Sequence, residues 1–293
     1  ILVVMGESLW EGSAGDTLKH FLQADYEVLP QSEPKFHLTQ IPPAAFGKTT
    51  KRSRNLILVK ISKEFEKTGI AVEKDTWAKP QLLIRIRANS QEELLDIIGK
   101  NGNAITEQFE KASLERQAIA FKNTANKKVI SKLNEKFNIY MSIPAHFKLA
   151  KETEKFLWIR NETPKLSQGI LIWTYPYTSE KQLRKDKLLE VRDSITMRQV
   201  PGPKPETSFM TSEKRVMPIY KTRELNGNFC AEIRGLWRVE GAFMGGPFVN
   251  YSVVDEKRNR IVTVDVFVYA GMQDKRNFMR EVEAIANTLK FTD

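Results

Sequence analysis

Three successive runs decide the fold: FCAEIRGLWRVE (229–240), FVNYSVV (248–254) and IVTVDVFVY (261–269). In the first, Phe229, Ala231, Ile233, Trp237 and Val239 fall on one side and Glu232, Arg234, Arg238 and Glu240 on the other, the period of two of a half-buried strand. Gly241, Gly245, Gly246 and Pro247 interrupt the pattern before the second run, and a polar turn from Asp255 to Arg260 precedes the third. In that third run Val262, Val264, Val266 and Val268 make one β-branched face suited to a pleated sheet. Connections this short predict antiparallel neighbours, because a parallel return needs a crossover of about a dozen residues or more. After Gly271 the period lengthens. Phe278, Met279, Val282, Ile285 and Leu289 form one stripe of an amphipathic helix, which is expected to cover the valine face. The other face is then expected to carry Glu232, Arg234, Arg238, Glu240 and, from the third strand, Asp265.

Outward from this stretch, the composition sets wider limits. The 293 residues suffice for two ordinary domains with their own cores. Apolar runs are too short for a membrane span. The chain opens at Ile1 without an initiator methionine or a signal peptide, which suggests a processed or trimmed start. Cys230 is the sole cysteine, so no internal disulfide forms. With 46 basic and 36 acidic residues the net charge of +10 favours polyanions in general without choosing among nucleic acid, lipid and glycan.

The first half opens with a short strand, Ile1 to Met5, and a helix that Asp16 is placed to cap. Strands are expected at Phe36 to Ile41, Asn55 to Ser62 and Gln81 to Ala88. Ser90 with Glu93 has capping-box spacing at the head of a long helix, in which Gly99 and Gly102 predict a kink or break. The second half begins with a strand from Phe137 to Ile143 and continues with Phe156 to Arg160 and Gly169 to Tyr177. A helix with the stripe Leu188, Val191 and Ile195 ends before the stiff Pro201–Pro205 segment, and an exposed loop is expected from Glu206 to Pro218. The order of elements repeats between the halves. The expectation is therefore an α+β protein of two similar domains, 1–124 and 125–293, each a mainly antiparallel sheet packed with helices, the second carrying a Pro-rich loop at 201–218.

The residues that carry chemistry are sparse. A strand running into Gly6-Glu7-Ser8-Leu9 has the form in which one lipase and esterase superfamily presents its serine. That chemistry needs a histidine near the C-terminus, and His20, His37 and His146 all lie in the first half of the chain. Ester hydrolysis through Ser8 on envelope lipid or glycan is thus the alternative reading, and no catalytic residue is assigned. The dispersed histidines and single cysteine make a histidine-based metal site improbable, and no phosphate-binding glycine loop occurs, so no cofactor is expected. Lys48, Lys51, Arg52 and Arg54 form a basic loop without interleaved aromatic residues, which makes nucleic acid an improbable partner. Two candidate binding groups remain. One is the charged face of Glu232, Arg234, Arg238, Glu240 and Asp265, whose guanidinium groups suit planar anions. The other is the glycine-rich loop from Gly241 to Phe248, expected to expose Phe243, Met244 and Phe248 to a partner or an apolar ligand.

On Gly6-Glu7-Ser8-Leu9-Trp10-Glu11-Gly12, Gly235-Leu236-Trp237-Arg238-Val239 and Gly241-Ala242-Phe243-Met244-Gly245-Gly246-Pro247-Phe248, the chain resembles a family of uncharacterised lipoproteins of Bacteroidetes-type bacteria, known only as a domain of unknown function. The resemblance runs over essentially the full length and brings no catalytic residues with it. It implies export to the bacterial cell envelope, in the periplasm or anchored at the outer membrane. It also implies peripheral attachment through a lipid on a cysteine upstream of Ile1. The second half, with Ile143-Pro144-Ala145-His146-Phe147 ending a strand and a last helix ending in Leu289-Lys290-Phe291, also looks like the α/β/α sandwich of PsbP and Mog1 proteins. The combined expectation is a non-catalytic envelope protein that binds a partner protein, glycan or lipid.

Overall fold

The computed structural model describes residues 1–293. They divide into two compact units, Ile1–Tyr26 with Pro34–Arg116, and Glu27–Glu33 with Gln117–Asp293. The class is α+β, as the alternation of strand and helix periods implies.

The first unit runs β1 (Leu2–Val4), α1 (Glu7–Trp10), α2 (Ser13–Leu22), β2 (Thr39–Ile41), β3 (Asn55–Ile61), β4 (Gly69–Lys74), β5 (Leu82–Ala88) and α3 (Gln91–Asn123), the last continuing past Arg116. Its sheet has the order β2-β1-β3-β5-β4. Here the expectation of a mainly antiparallel sheet, and of a duplicate of the second half, is corrected. β1 runs parallel to β2 and β3, β3 runs parallel to β5, and only β4 is antiparallel to its neighbour. The cause is β4, an edge strand whose residues are mostly half-buried or exposed and which gives no apolar run to read. An extra strand between β3 and β5 reverses the chain twice, which makes those two parallel. Val3, Met5, Ile57, Ile84 and Ile86 pack with Leu18, Leu94, Ile98, Ile105 and Phe109 of α2 and α3 in one core.

Local signals fared unevenly in this unit. Asp16 does not cap α2: Gly12 holds the cap position and Asp16 sits in the first turn, 3.2 Å from Lys19. At the head of α3 the Glu93 amide donates to Ser90 Oγ (3.1 Å), and the Glu93 carboxylate accepts from the Asn89 amide (2.6 Å). The predicted break in α3 is absent. Gly102 serves a close approach instead, since a Cβ there would lie 2.1 Å from Phe21 Cδ2.

The second unit contains α4 (Lys127–Phe137), β6 (Ile139–Tyr140), β7 (Lys148–Thr153), β8 (Phe156–Thr163), β9 (Leu166–Pro176), α5 (Lys185–Gln199), β10 (Phe209–Ser212), β11 (Ile219–Leu225), β12 (Asn228–Glu240), β13 (Gly245–Asp255), β14 (Arg260–Tyr269), α6 (Arg276–Ala286) and β15 (Lys290–Phe291). Its main sheet has the order β10-β12-β13-β14-β9-β8-β7, with β11 also paired to β12, and every pairing in it is antiparallel. Two segments differ from expectation. The strand anticipated from Phe137 shrinks to β6, because α4 runs through Phe137 and ends on Asn138 in the left-handed region (φ 49°). The loop anticipated from Glu206 to Pro218 contains β10, with Met210 and Ser212 buried against β12.

The predicted cover of the valine face holds. Val262, Val264, Val266 and Val268 are fully buried, and Met279, Val282 and Ile285 of α6 are buried over this side of the sheet. α5 packs on the other face, where Leu188 joins Ala231, Ile233, Trp173, Ile261 and Phe267 in one core. The segment Glu27–Glu33 completes this unit, its Glu33 carboxylate accepting the backbone amides of Lys275 (2.6 Å) and Arg276 (2.9 Å) at the head of α6. Such a cap comes from more than two hundred residues away and leaves no local trace in the sequence.

Candidate ligand cavity

The charged residues of the organising strands do not form one free face. Glu232 stands opposite Tyr251, and Tyr251 opposite Val264, so the even-numbered charges of β12 share the side of the valines and of α6. Asp265 lies on the opposite side, across from Asn250 and Ile233. Which parity of one strand meets which parity of the next is set by pairing register, which the hydrophobic pattern and the geometry of the connecting turns fix together.

Arg234 is held under α6. Its guanidinium donates to both carboxylate oxygens of Glu283 (2.9 and 2.6 Å) and to Glu232 (2.6 Å), and Tyr251 Oη donates to Glu283 (3.3 Å). Arg223 meets Glu232 at 2.8 Å. Asp265 is fully buried against α5, accepting from Arg192 Nε (2.8 Å), Arg192 Nη2 (3.3 Å) and Asn250 Nδ2 (2.9 Å). Arg192 itself is fully buried, with its guanidinium 3.6 Å above the Phe248 ring. An arginine at the centre of the stripe Leu188–Arg192–Thr196 escaped a reading that sought apolar periodicity; its four-residue spacing was the available signal. Of the five charged candidates Arg238 and Glu240 are the well-exposed ones, and they pair with each other.

The glycine-rich loop likewise splits into three environments. Phe248 is core, 1% exposed. Phe243 at the hairpin tip is fully exposed. Met244 lies between, and it lines a cavity of about 350 Å³ at one end of the α5 face. That cavity exists because α5 stops at Gln199 while β12, β14 and β8 run on past it. The chain leaving α5 forms one wall through Val200, Pro201 and Pro203. Trp237 and Val239 of β12, Phe267 and Tyr269 of β14, and Trp158 of β8 form the rest, with Met210 of β10. Trp237 meets Phe267 edge-on, ring centroids 5.4 Å apart and planes at 72°. The Phe267 ring lies over Gly169, where a Cβ would fall 2.1 Å from Phe267 Cε1. Arg160, Glu162 and Lys165 stand at the exposed margin, Arg160 pairing with Glu162 at 2.7 Å.

The indole N–H groups of Trp158 and Trp237, like that of Trp173 in the same core, are buried without an acceptor and are closed off from the cavity itself, which meets these rings through their carbon faces and edges. A mainly apolar pocket of this size with a few polar side chains at its margin has the size and lining of a small-molecule site. Aromatic residues spaced singly along three strands gave no motif from which the pocket could be read.

Other candidates are placed elsewhere. Ser8 is exposed on the single turn of α1, and no histidine bonds its hydroxyl; His20 stacks edge-on against Phe21 at 5.1 Å, and His146 pairs with Glu281 at 3.0 Å. In the basic loop Lys51 sits 5.5 Å from the Trp77 ring and 5.8 Å from that of Phe46, so aromatic rings approach it through folding although none interleaves it in sequence. No group of three or more His, Cys, Asp or Glu side chains gathers in a form that could hold a metal ion. Cys230 is fully buried, and burial pushes its thiol up to about 12. Since the thiolate is the nucleophile, iodoacetamide at pH 8 is expected to leave Cys230 unmodified in the folded chain and to alkylate it fully in denaturant. Mass spectrometry reads the difference, and rapid labelling of the native chain would contradict the packing described.

Residues 126–288 match the family described as Domain of unknown function (DUF4837), and the chain belongs to that family. Residues 1–122 match a second description, Domain of unknown function (DUF8532). No curated protein matches the chain. Among solved structures it is similar to a protein of Bacteroides thetaiotaomicron VPI-5482 at 13% identity and a TM-score of 0.29, over 53% of this chain and 46% of that one, so it spans less than half of that protein's length. It is similar to the Ran-binding protein Mog1p of Saccharomyces cerevisiae at 10% identity and a TM-score of 0.35, over 53% of this chain and 91% of that one. It is also similar to LpqN of Mycobacterium tuberculosis, described as involved in cell envelope biogenesis, at 12% identity and a TM-score of 0.33, over 53% of this chain and 83% of that one.

Proposed function

We propose that this chain is a non-catalytic binding protein of the bacterial cell envelope, attached peripherally through a lipidated cysteine upstream of Ile1, which takes a ligand into the cavity lined by Trp158, Trp237, Phe267, Tyr269 and Met244. The observation that carries the binding part is a cavity of about 350 Å³ whose buried walls, Val200, Met210, Trp237, Val239 and Phe267, are apolar. A ligand that fills the space takes the apolar surface of these walls out of contact with water. The envelope setting rests on the lipoprotein resemblance, and no helix is long and apolar enough to cross a membrane. Ester hydrolysis through Ser8 draws no support from its surroundings, where no histidine engages the hydroxyl.

The test is native mass spectrometry of the chain purified from its own membranes, beside a Met244→Trp variant that fills the cavity. The wild type is expected to carry an added mass that the variant lacks. Retention of the same mass by a folded variant, or its absence from both, would remove the cavity as a ligand site.

A further inference from the structure

Resting on the cavity reading just given, we infer that the ligand is a single alkyl chain ending in an anionic head, with the chain between Trp237, Phe267 and Met244 and the head at Arg160 and Lys165. Two features select this chemistry. The buried part of the lining, Val200, Met210, Trp237, Val239 and Phe267, is apolar, whereas its charged and hydroxyl side chains, Arg160, Glu162, Thr163, Lys165 and Ser167, lie together on β8, β9 and the turn between them, so the space has an apolar interior and a polar margin. Its charge is also one-sided. Glu162 is taken up by Arg160 in an exposed pair, whereas the Lys165 ammonium makes no ion pair and only the Lys165 carbonyl is engaged, by Gln273. An anionic head arriving there gains charge-assisted hydrogen bonds from Lys165 and from the outward side of Arg160.

The surroundings of the cavity agree with an apolar source. Phe243, next to Met244, and Met272, three residues beyond Tyr269, are both fully exposed on connections at this end of the sheet. Exposed apolar side chains of that size beside an opening suit a lipid surface better than water.

Isothermal titration with decanoate and with decanol separates head from chain. Decanoate is expected to bind about tenfold more tightly than decanol, the gap narrowing as sodium chloride is raised. In an Arg160→Gln/Lys165→Gln variant the two ligands are expected to bind within about twofold of each other, and Met244→Trp is expected to abolish both. Lysophosphatidylglycerol, a lipid with one acyl chain, binding the wild type but not the double variant identifies a lipid head as the source of the anion; decanoate binding without lysophosphatidylglycerol binding identifies a free acid. Decanol binding as tightly as decanoate, with the double variant unchanged, overturns the anionic head and leaves the cavity reading intact. No binding of decanoate overturns the inference as a whole, while a different molecule co-purifying with the chain would still uphold the proposed function.

Discussion

Replacing Asp265 with alanine is expected to destabilise the second unit by about 3–5 kcal/mol, the range for breaking a buried ion pair. Arg192 is fully buried, and Asp265 supplies its two carboxylate hydrogen bonds, at 2.8 and 3.3 Å. The partners left to the guanidinium are Ser212 Oγ at 3.1 Å, Met210 Sδ at 3.9 Å, the Phe248 ring, and Asp193 at 3.8 Å, none of which replaces a two-point carboxylate. The cost is that of stranding a charge, not the net worth of the pair. An Arg192→Met/Asp265→Leu double variant is accordingly expected to recover most of the loss. Hydrogen exchange of the β13 and β14 amides under increasing urea measures both, and an Asp265→Ala variant within about 1 kcal/mol of wild type would refute the account. Burial raises the Asp265 carboxyl above its usual range, against the pull of Arg192. A raised carboxyl binds its proton in the folded state at pH values where the unfolded state has released it. This group's contribution to stability is therefore full below the unfolded value and declines as pH rises through the folded one.

The second large effect is expected at Glu283, on the opposite face. Glu283→Ala removes the two-point partner of Arg234 and the acceptor of Tyr251 Oη beneath α6. The loss is expected at about 2–3 kcal/mol, below the full range for a broken buried pair because Glu232 still holds Arg234 at 2.6 Å. Arg238→Ala, four residues along the same strand, is expected to cost less than about 0.5 kcal/mol because its pair with Glu240 is exposed. Equal losses at the two positions in a urea titration would mean that burial does not distinguish them. Glu-Ile-Arg (232–234) and Arg-Val-Glu (238–240) are close equivalents on paper, and the helix over one of them makes the difference.

Much of the second unit was legible. The alternation in β12, the valines of β14 and the stripe of α6 specify strand, strand and helix, because an element with one apolar side must place that side against another. The long helix after Ser90 was equally plain, although Gly102 misled: its missing side chain accommodates Phe21 rather than bending the helix. β4, β10 and β11 stayed hidden because edge strands that bury few residues carry little periodic signal. The candidate site was legible only at Met244. Its other walls come from β8, β10, β12, β14 and the turn after α5, which are separated in sequence and meet only when the sheet forms.

The sequence by itself determined the class of the fold, the antiparallel order of β12 to β14 and the burial of the valine face, since local periodicity and short turns leave the backbone few other solutions. Tertiary structure alone decided that both faces of that sheet are covered, that Arg192 and Asp265 meet in the core, and that a cavity opens where α5 ends. These depend on pairing register and on the length of one helix relative to its sheet, relations between distant segments that no single stretch of residues encodes.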